Sequence, residues 1–454
     1  MRTSILLTTL VFLAFTVTQR SFAQSSQNPG IEKATNLAEK AESSRRAGKV
    51  DESIQIYTEA ISLAPTFVIS YFGRSLAYRD KKDFASEITD LSSAIKLEPA
   101  VSTFYYNRAE AYTLTGKFDL SNNDLTKVLS IEPRELSVYL YRGSNYGYLG
   151  KYDQALEDLN HFVLLAPDKP DGYFERGRAY SASGKDDEAL ADFNRTIELD
   201  NDQPVAYRLR GDILKSRRQN SEALADYGKA ISLNPRDTDA LVSRAGIFTD
   251  ISQYEKAALD LNNAGKLDPK FVGTFIGWSY LYFKLENWNQ LVEASNKAIA
   301  LDPKYPMGLN NRAYGELMLG NLAAAEKDIN KAVELQPEFD LALNNRGLLK
   351  IRRKRYGDAL VDIQAAMKLN AHLAYGYLNL ALISEAKGQI DEAISALTKA
   401  IELDETLRIA HELRGKLYAK KGDLVNASAD LKKSSEILLQ IKKANIESLT
   451  KNHQ

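Results

Sequence analysis

Side chains that could carry catalytic or metal chemistry are few in this sequence, and they do not converge. The chain has no cysteine, which excludes disulfides, thiolate nucleophiles and cysteine-ligated zinc. Its four histidines fall at unrelated positions with no second histidine at helical spacing; they are His161, His372, His411 and His453. Adjacent acids such as Asp187 and Glu188 lie where a helix is predicted to begin, and negative charge is favourable there. We therefore predict a protein that is not an enzyme and that holds no metal or cofactor.

Asparagines that recur at intervals of 34 residues could instead bind another polypeptide. They are Asn310, Asn311, Asn344, Asn345 and Asn379. An amide can donate to and accept from an extended peptide backbone at the same time. The row therefore predicts a peptide site, to which we assign Tyr314 as well. Amides that are solvated or that bridge neighbouring repeats are the alternative.

A second row with the same interval is apolar. It consists of Phe72, Tyr106, Leu140 and Phe174. Apolar side chains outside a core pattern need either a ligand or a neighbouring element to cover them. We place Phe72, Tyr106 and Phe174 in the candidate binding site, with packing between repeats as the alternative.

Both rows are positioned by an internal repeat of 34 residues, which runs from Ala34 to Ile441 without an insertion or a deletion. It gives twelve blocks. Position 8 of the block is always small, and position 30 is always Leu or Ile. Position 32 is Pro in eight blocks, and position 15 is Gly in seven, which are typical signals for the end of a helix.

Between these signals, apolar residues recur with helical spacing at positions 4, 8 and 11 and at positions 20, 24, 27 and 28. Each block is therefore predicted to form two antiparallel helices, here called helix A and helix B. We expect the small residue at position 8 to face position 20, which is Ala in eight blocks, so that the two helices approach closely. One such hairpin cannot bury its apolar face alone, and successive hairpins must stack.

The pattern of an aromatic at position 4, a small residue at 8, Tyr at 11, Ala at 20 and Pro at 32 resembles the tetratricopeptide repeat. The segment 171–180, DGYFERGRAY, is similar to the first helix of that family. The resemblance covers residues 34–441. It implies an all-α, right-handed superhelical solenoid of twelve helix-turn-helix repeats. It also implies a concave groove that positions 2, 5, 6, 9, 12 and 13 of the A helices line.

Position 7 is Arg in nine repeats, and position 23 is Asp in the same nine. The other three repeats lack both residues. This co-occurrence predicts an ion pair between the two helices of each hairpin, because the guanidinium fork matches a carboxylate. A row of arginines that binds a ligand is the alternative.

The composition favours protein partners over nucleic acid. Hydrophobic residues make up 44% of the chain and charged residues 26%, and the formal net charge is -1. That content supports a continuous core, and it gives no excess of positive charge for a polyanion.

The first 23 residues resemble a signal for export. Arg2 is followed by an apolar run over residues 5–17 and by Ser21-Phe22-Ala23, which has the small-x-small form of a cleavage site. We expect residues 1–23 to be a signal peptide and the mature protein to be periplasmic or secreted, with no membrane span. An uncleaved anchor is the alternative, although the run is shorter than the roughly 20 residues that a span needs. Residues 24–33 are predicted to be a linker and residues 442–454 a polar tail.

Together these features predict a scaffold that binds extended segments of other proteins in its groove. The alternative is an accessory subunit of an envelope assembly or polysaccharide-export machine. Because the amide row lies outside the core pattern, we expect alanine at Asn311, Asn345 and Asn379 to leave stability largely intact.

Overall fold

The computed structural model describes residues 29–444, and these form 24 α-helices joined by short turns, with no strand in that range. The predicted signal peptide lies outside the described residues. Helix α1 begins at Pro29, so residues 29–33 of the predicted linker are helical. Helix α24 ends at Lys443, two residues into the predicted tail.

The chain forms two compact units, which divide after Asp202. The described part of unit 1 contains α1 to α10: Pro29–Arg46, Val50–Leu63, Val68–Asp80, Phe84–Leu97, Ser102–Leu114, Phe118–Ile131, Leu136–Tyr148, Tyr152–Leu165, Pro170–Ala182 and Asp186–Leu199. The described part of unit 2 contains α11 to α24: Pro204–Ser216, Asn220–Leu233, Thr238–Asp250, Tyr254–Leu267, Val272–Lys284, Trp288–Leu301, Pro306–Leu319, Leu322–Leu335, Asp340–Arg352, Tyr356–Leu369, Ala374–Ala386, Ile390–Leu403, Arg408–Lys421 and Leu424–Lys443.

Each odd-numbered helix is a helix A, and the even-numbered helix that follows is its helix B. In repeats 2 to 12, helix A begins at the first residue of the 34-residue block, and all twelve B helices begin at position 17. The helices of a pair pack against each other within every hairpin. The all-α solenoid of paired helices predicted from the periodicity is confirmed.

The turn between helices A and B explains the glycine at position 15. All seven of those glycines have positive φ, from 70° at Gly150 to 87° at Gly320. The other five repeats adopt the same left-handed conformation with a non-glycine residue; they are Lys82, Arg218, Ser252, Glu286 and Lys354. A side chain at this conformation costs roughly 1 kcal/mol relative to glycine.

The small residue at position 8 lies against helix B of its own hairpin, as expected, but its main neighbour is position 24. A Cβ built on Gly347 would be 2.6 Å from Cγ1 of Ile363 and 3.3 Å from the carbonyl oxygen of Ala359 at position 20. Gly143 meets Leu159 and Ala155 in the same way. The contact with position 20 therefore involves its backbone, and the side chain at position 24 fills the space.

All nine predicted Arg–Asp pairs are bridged. In each, Nε and Nη2 of the guanidinium donate to the two carboxylate oxygens over 2.6–2.9 Å; the pairs are Arg74–Asp90, Arg108–Asp124, Arg142–Asp158, Arg176–Asp192, Arg210–Asp226, Arg244–Asp260, Arg312–Asp328, Arg346–Asp362 and Arg414–Asp430. The aspartates are buried. These arginines are therefore engaged in the hairpin.

The third guanidinium nitrogen ties neighbouring repeats together. Nη1 of Arg74 donates to Oγ1 of Thr58, at position 25 of the preceding helix B, over 2.9 Å. Five other arginines make the same bond to a Ser, Thr or Asn; their acceptors are Ser92, Thr126, Asn160, Asn296 and Thr398. Each of these arginines thus connects the two helices of its own hairpin and also connects that hairpin to the preceding one.

Candidate functional site

The asparagine row lies between repeats and not on an open surface. Asn310, Asn344, Asn345 and Asn379 are buried. Nδ2 of Asn345 donates to Oδ1 of Asn310 over 2.8 Å, and Nδ2 of Asn379 donates to Oδ1 of Asn344 over 2.9 Å. Each bond joins one repeat to the next. The amides therefore take the neighbour-bridging arrangement, which the sequence had left as the alternative.

Asn311 is half-buried and follows the same rule, because its Nδ2 donates to Oγ of Ser279 in the preceding repeat over 2.8 Å. Alanine at Asn311, Asn345 and Asn379 would remove these three inter-repeat bonds and leave buried acceptors unpaired. The expectation that this change leaves stability largely intact assumed that the amides were surface groups. Because Asn345 and Asn379 are buried, the structure favours a loss of stability instead, which urea unfolding of the triple variant would measure.

Tyr314 lies in an aromatic cluster of unit 2. Its ring centroid is 4.9 Å from that of Phe283, 5.8 Å from Trp288 and 6.3 Å from Tyr375. Burial raises the pKa of both tyrosine hydroxyls above the ordinary value. The cluster fills the space that the A helices of repeats 8, 9 and 11 share.

The position-5 row in unit 1 is half-buried throughout. Phe72 contacts Phe104 of the next repeat at a centroid distance of 5.3 Å, and Phe174 contacts Phe193 of its own hairpin at 6.3 Å. Tyr106 meets Tyr141 edge-on at 6.0 Å. Neighbouring aromatic side chains therefore cover part of the surface of these three residues.

Three apolar side chains that the sequence analysis did not single out are exposed on the A helices of repeats 3 and 4. Leu114 is 54% exposed, Tyr141 45% and Tyr148 57%. They occupy positions 13, 6 and 13 of the A helices in repeats 3 and 4. The signal was available, because the tetratricopeptide resemblance assigns both positions to the groove. Tyr106, Leu114, Tyr141, Tyr148 and Phe174 are together called the A-helix strip.

Charged groups border the strip at repeat 5. The guanidinium of Arg178 lies 4.9 Å from the ring centroid of Tyr148, and its Nη1 donates to Glu175 over 2.9 Å. Ser144 donates to the same carboxylate over 3.0 Å. Phe118 stacks parallel to the ring of Tyr148 at 5.1 Å, with an interplanar angle of 7°. Contacts with a cation and with a second aromatic ring favour one orientation of the tyrosine side chain.

A partly buried ionic group lies beside the strip at repeats 2 and 3. Arg79 bonds Glu87 over 2.5 Å and Glu110 over 2.6 Å. Glu87 occupies position 20, where eight repeats have Ala, and burial raises the pKa of its carboxyl group against the lowering effect of Arg79. Glu110 is exposed enough to face solvent, with 43% of its side chain accessible. This end of the strip is therefore acidic.

Two family models of the tetratricopeptide repeat match the chain. One matches residues 141–204 and 208–270, and the other matches residues 102–135 and 374–407. A stack of helical hairpins with this period is a helical repeat solenoid. The matches identify the family of the repeat. The chain is a tetratricopeptide repeat protein. The family supports a role as a scaffold for protein–protein interaction.

Several solved structures are similar to this chain, and the first of them shows the same fold. The chain is similar to a protein of the anaphase-promoting complex hetero-tetramer Cut9–Hcn1, with a TM-score of 0.52 and 15% identity over 96% of this chain and 98% of the other. A tetratricopeptide repeat protein from Parabacteroides merdae matches with a TM-score of 0.47 and 20% identity over 55% and 98%. Yeast Tom70 matches with a TM-score of 0.39 and 18% identity over 93% and 99%.

Within residues 29–444, no three His, Asp or Glu side chains are grouped as they would be to hold a metal ion. In the same range, every helix is too short or too polar to cross a bilayer.

Proposed function

We propose that the protein binds extended segments of other proteins through the A-helix strip of unit 1. The observation that carries the proposal is the exposure of Leu114, Tyr141 and Tyr148 on successive A helices of a repeat array. Exposed aromatic side chains that are held rigidly lose little entropy on binding and dominate the energy of many interfaces.

The surroundings of the strip suit a polypeptide with apolar side chains and positive charge. Apolar side chains of the partner would cover Tyr141 and Tyr148, while a lysine or an arginine of the partner could approach the solvent-accessible part of Glu110, whose carboxylate also bonds Arg79. Arg178 and Glu175, at the repeat-5 end of the strip, form an ion pair with each other. That end is therefore polar, and a ligand needs no charged group to neutralise it.

Photo-crosslinking from inside the strip tests the proposal. We expect a photoreactive amino acid at Leu114 to capture protein partners in the native cell. The control is the same group at Leu164, which belongs to the same unit, is 75% exposed and lies on a B helix. Equal capture from both positions, or none from Leu114, would overturn the assignment of the strip.

The role in a polysaccharide-export machine is a second proposal, because sugar rings also stack on exposed aromatic side chains. Tyr141 is 45% exposed and is the aromatic side chain of the strip that suits this role. The crosslinked product separates the two proposals, since a glycan adduct is removed by periodate oxidation, whereas a protein adduct is removed by protease.

We also propose that the protein works outside the cytoplasm after residues 1–23 are removed, as the export signal in the sequence indicates. The mature protein should then begin at Gln24. Intact-mass measurement of the protein from its native host checks this, and a mass that still includes residues 1–23 would favour the membrane anchor.

A further inference from the structure

Two ion pairs of unit 2 join repeat 8 to the end of repeat 11 and the start of repeat 12. Nζ of Lys284 lies 3.1 Å from Asp404 and donates to Oγ1 of Thr406 over 3.0 Å. The guanidinium of Arg408 bonds both carboxylate oxygens of Glu286, over 2.7 and 2.9 Å. The partners are 120 and 122 residues apart in sequence. Lys284, Glu286, Asp404 and Arg408 are here called the latch.

At the latch, a residue with a side chain occupies a turn conformation that favours glycine. Glu286 has φ of 52° at position 15, where seven repeats have glycine. A glutamate in this conformation is less stable locally than glycine. Its carboxylate, however, is the acceptor for Arg408, so the side chain gains a contact that glycine could not make.

Aromatic side chains fill the space that the latch encloses. Phe283 lies 4.9 Å from Tyr314 and 5.4 Å from Tyr375, between centroids. Repeats 8 and 11, which supply Phe283 and Tyr375, are two of the three repeats without the Arg–Asp bridge between their helices. In these two hairpins, packing of apolar side chains therefore takes the place of the Arg–Asp ion pair between helices A and B.

The end of helix α24 reaches the same region. It has 20 residues, whereas the other B helices have 14, and its additional turns carry Ile441 against the core cluster of Tyr254, Leu261 and Leu281. Trp278 packs on that cluster as well. An open cleft of about 330 Å³ remains between the start of α14 and the end of α24.

We propose that unit 2 has a second, open state, in which the latch is broken and the aromatic interior of repeats 8, 9 and 11 binds an apolar segment of a partner protein. The chemistry of that segment follows from the closed state, because Tyr375 of the chain itself makes the contacts with Phe283 and Tyr314 that an apolar ligand would replace. This binding surface is separate from the A-helix strip of unit 1.

The latch can open because its charges are not fully buried. The side chains of Lys284 and Arg408 are 12% and 16% exposed, and those of Asp404 and Glu286 are 23% and 29% exposed. Partly buried ion pairs are screened by salt less than exposed ones. A high ionic strength should therefore be needed to shift unit 2 towards the open state.

Removal of the latch carboxylate tests the proposal without straining the fold. Glu286→Gly deletes the acceptor of Arg408 and relieves the positive φ, so the secondary structure should persist. The matched control is Lys354→Gly, which makes the same change at position 15 of repeat 10, where φ is 61°. The only two tryptophans of the chain, Trp278 and Trp288, both lie in repeat 8 and report directly on this region.

We expect Glu286→Gly to shift the tryptophan emission to the red, to increase quenching by acrylamide and to increase binding of the apolar dye ANS, with the circular dichroism unchanged. Lys354→Gly should change none of these. Unchanged emission in Glu286→Gly would show that the latch does not hold the unit closed. A red shift without ANS binding would show that the interior is not a binding surface; either result overturns the proposal.

A covalent lock gives an independent measurement, with a crosslink in place of the Lys284–Asp404 ion pair. Because the chain has no cysteine of its own, Lys284→Cys and Thr406→Cys can be joined with a short bismaleimide. We expect the uncrosslinked variant, which lacks Lys284, to expose its tryptophans at lower salt than the wild-type protein does, and the crosslinked variant to keep them covered. A wild-type emission that does not respond to salt, or a crosslinked protein that responds like the wild type, would contradict the open state.

Discussion

A variant with both Tyr141 and Tyr148 replaced by alanine is expected to lose most of its capture of protein partners while it keeps its fold. The two rings are exposed, so their removal leaves no cavity in the core, and the cost to stability should stay within about 0.5 kcal/mol at each site. At an interface, however, an aromatic anchor contributes about 2 kcal/mol or more. Loss of one such anchor weakens affinity about 30-fold, and loss of both should exceed that.

The measurement is the affinity for a partner identified by crosslinking, with the melting temperature recorded on the same samples. Tyr305→Ala is the matched control, since Tyr305 is an exposed tyrosine of unit 2 outside the strip. Unchanged affinity in the double variant, together with lost affinity in a folded variant of the asparagine row, would move the binding site to repeats 9 to 11.

Leucine in place of Gly347 is expected to disrupt repeat 10. The new side chain would begin 2.6 Å from Ile363 and 3.3 Å from the carbonyl oxygen of Ala359, and the backbone oxygen cannot move aside without a shift of helix α20. Overpacking of a core commonly costs up to about 3 kcal/mol. Since each repeat is stabilised by its neighbours, repeats 9 and 11 should also lose protection.

Hydrogen exchange measured by mass spectrometry would locate the loss, and urea unfolding would measure it. Gly357→Leu is the control, because a Cβ at Gly357 meets no atom within 4 Å. That substitution lies in the same hairpin and should be neutral or slightly stabilising, as leucine favours a helix over glycine by roughly 0.8 kcal/mol. Equal unfolding of both variants would show that close approach at position 8 is not what the small residue provides.

The sequence by itself determined the repeat and the contacts inside each hairpin. The helix bounds followed from period, proline and glycine, because those signals act within a few residues of where they stand. The nine Arg–Asp bridges could also be predicted, since their partners are 16 residues apart and vary together among the internal copies. Periodicity reports such contacts well because the same geometry is sampled twelve times.

Only the tertiary structure decided which side chains outside the core pattern stay exposed. Asn345 and Tyr141 both occupy position 6 of an A helix, yet Asn345 is buried against Asn310 whereas Tyr141 is 45% exposed. The difference depends on which side chains a neighbouring hairpin places against position 6, and the position within the repeat does not encode that. The closure of unit 2 has the same origin. Lys284 meets Asp404 because small rotations between successive hairpins add up over 120 residues. The sequence of a single repeat does not predict the total rotation.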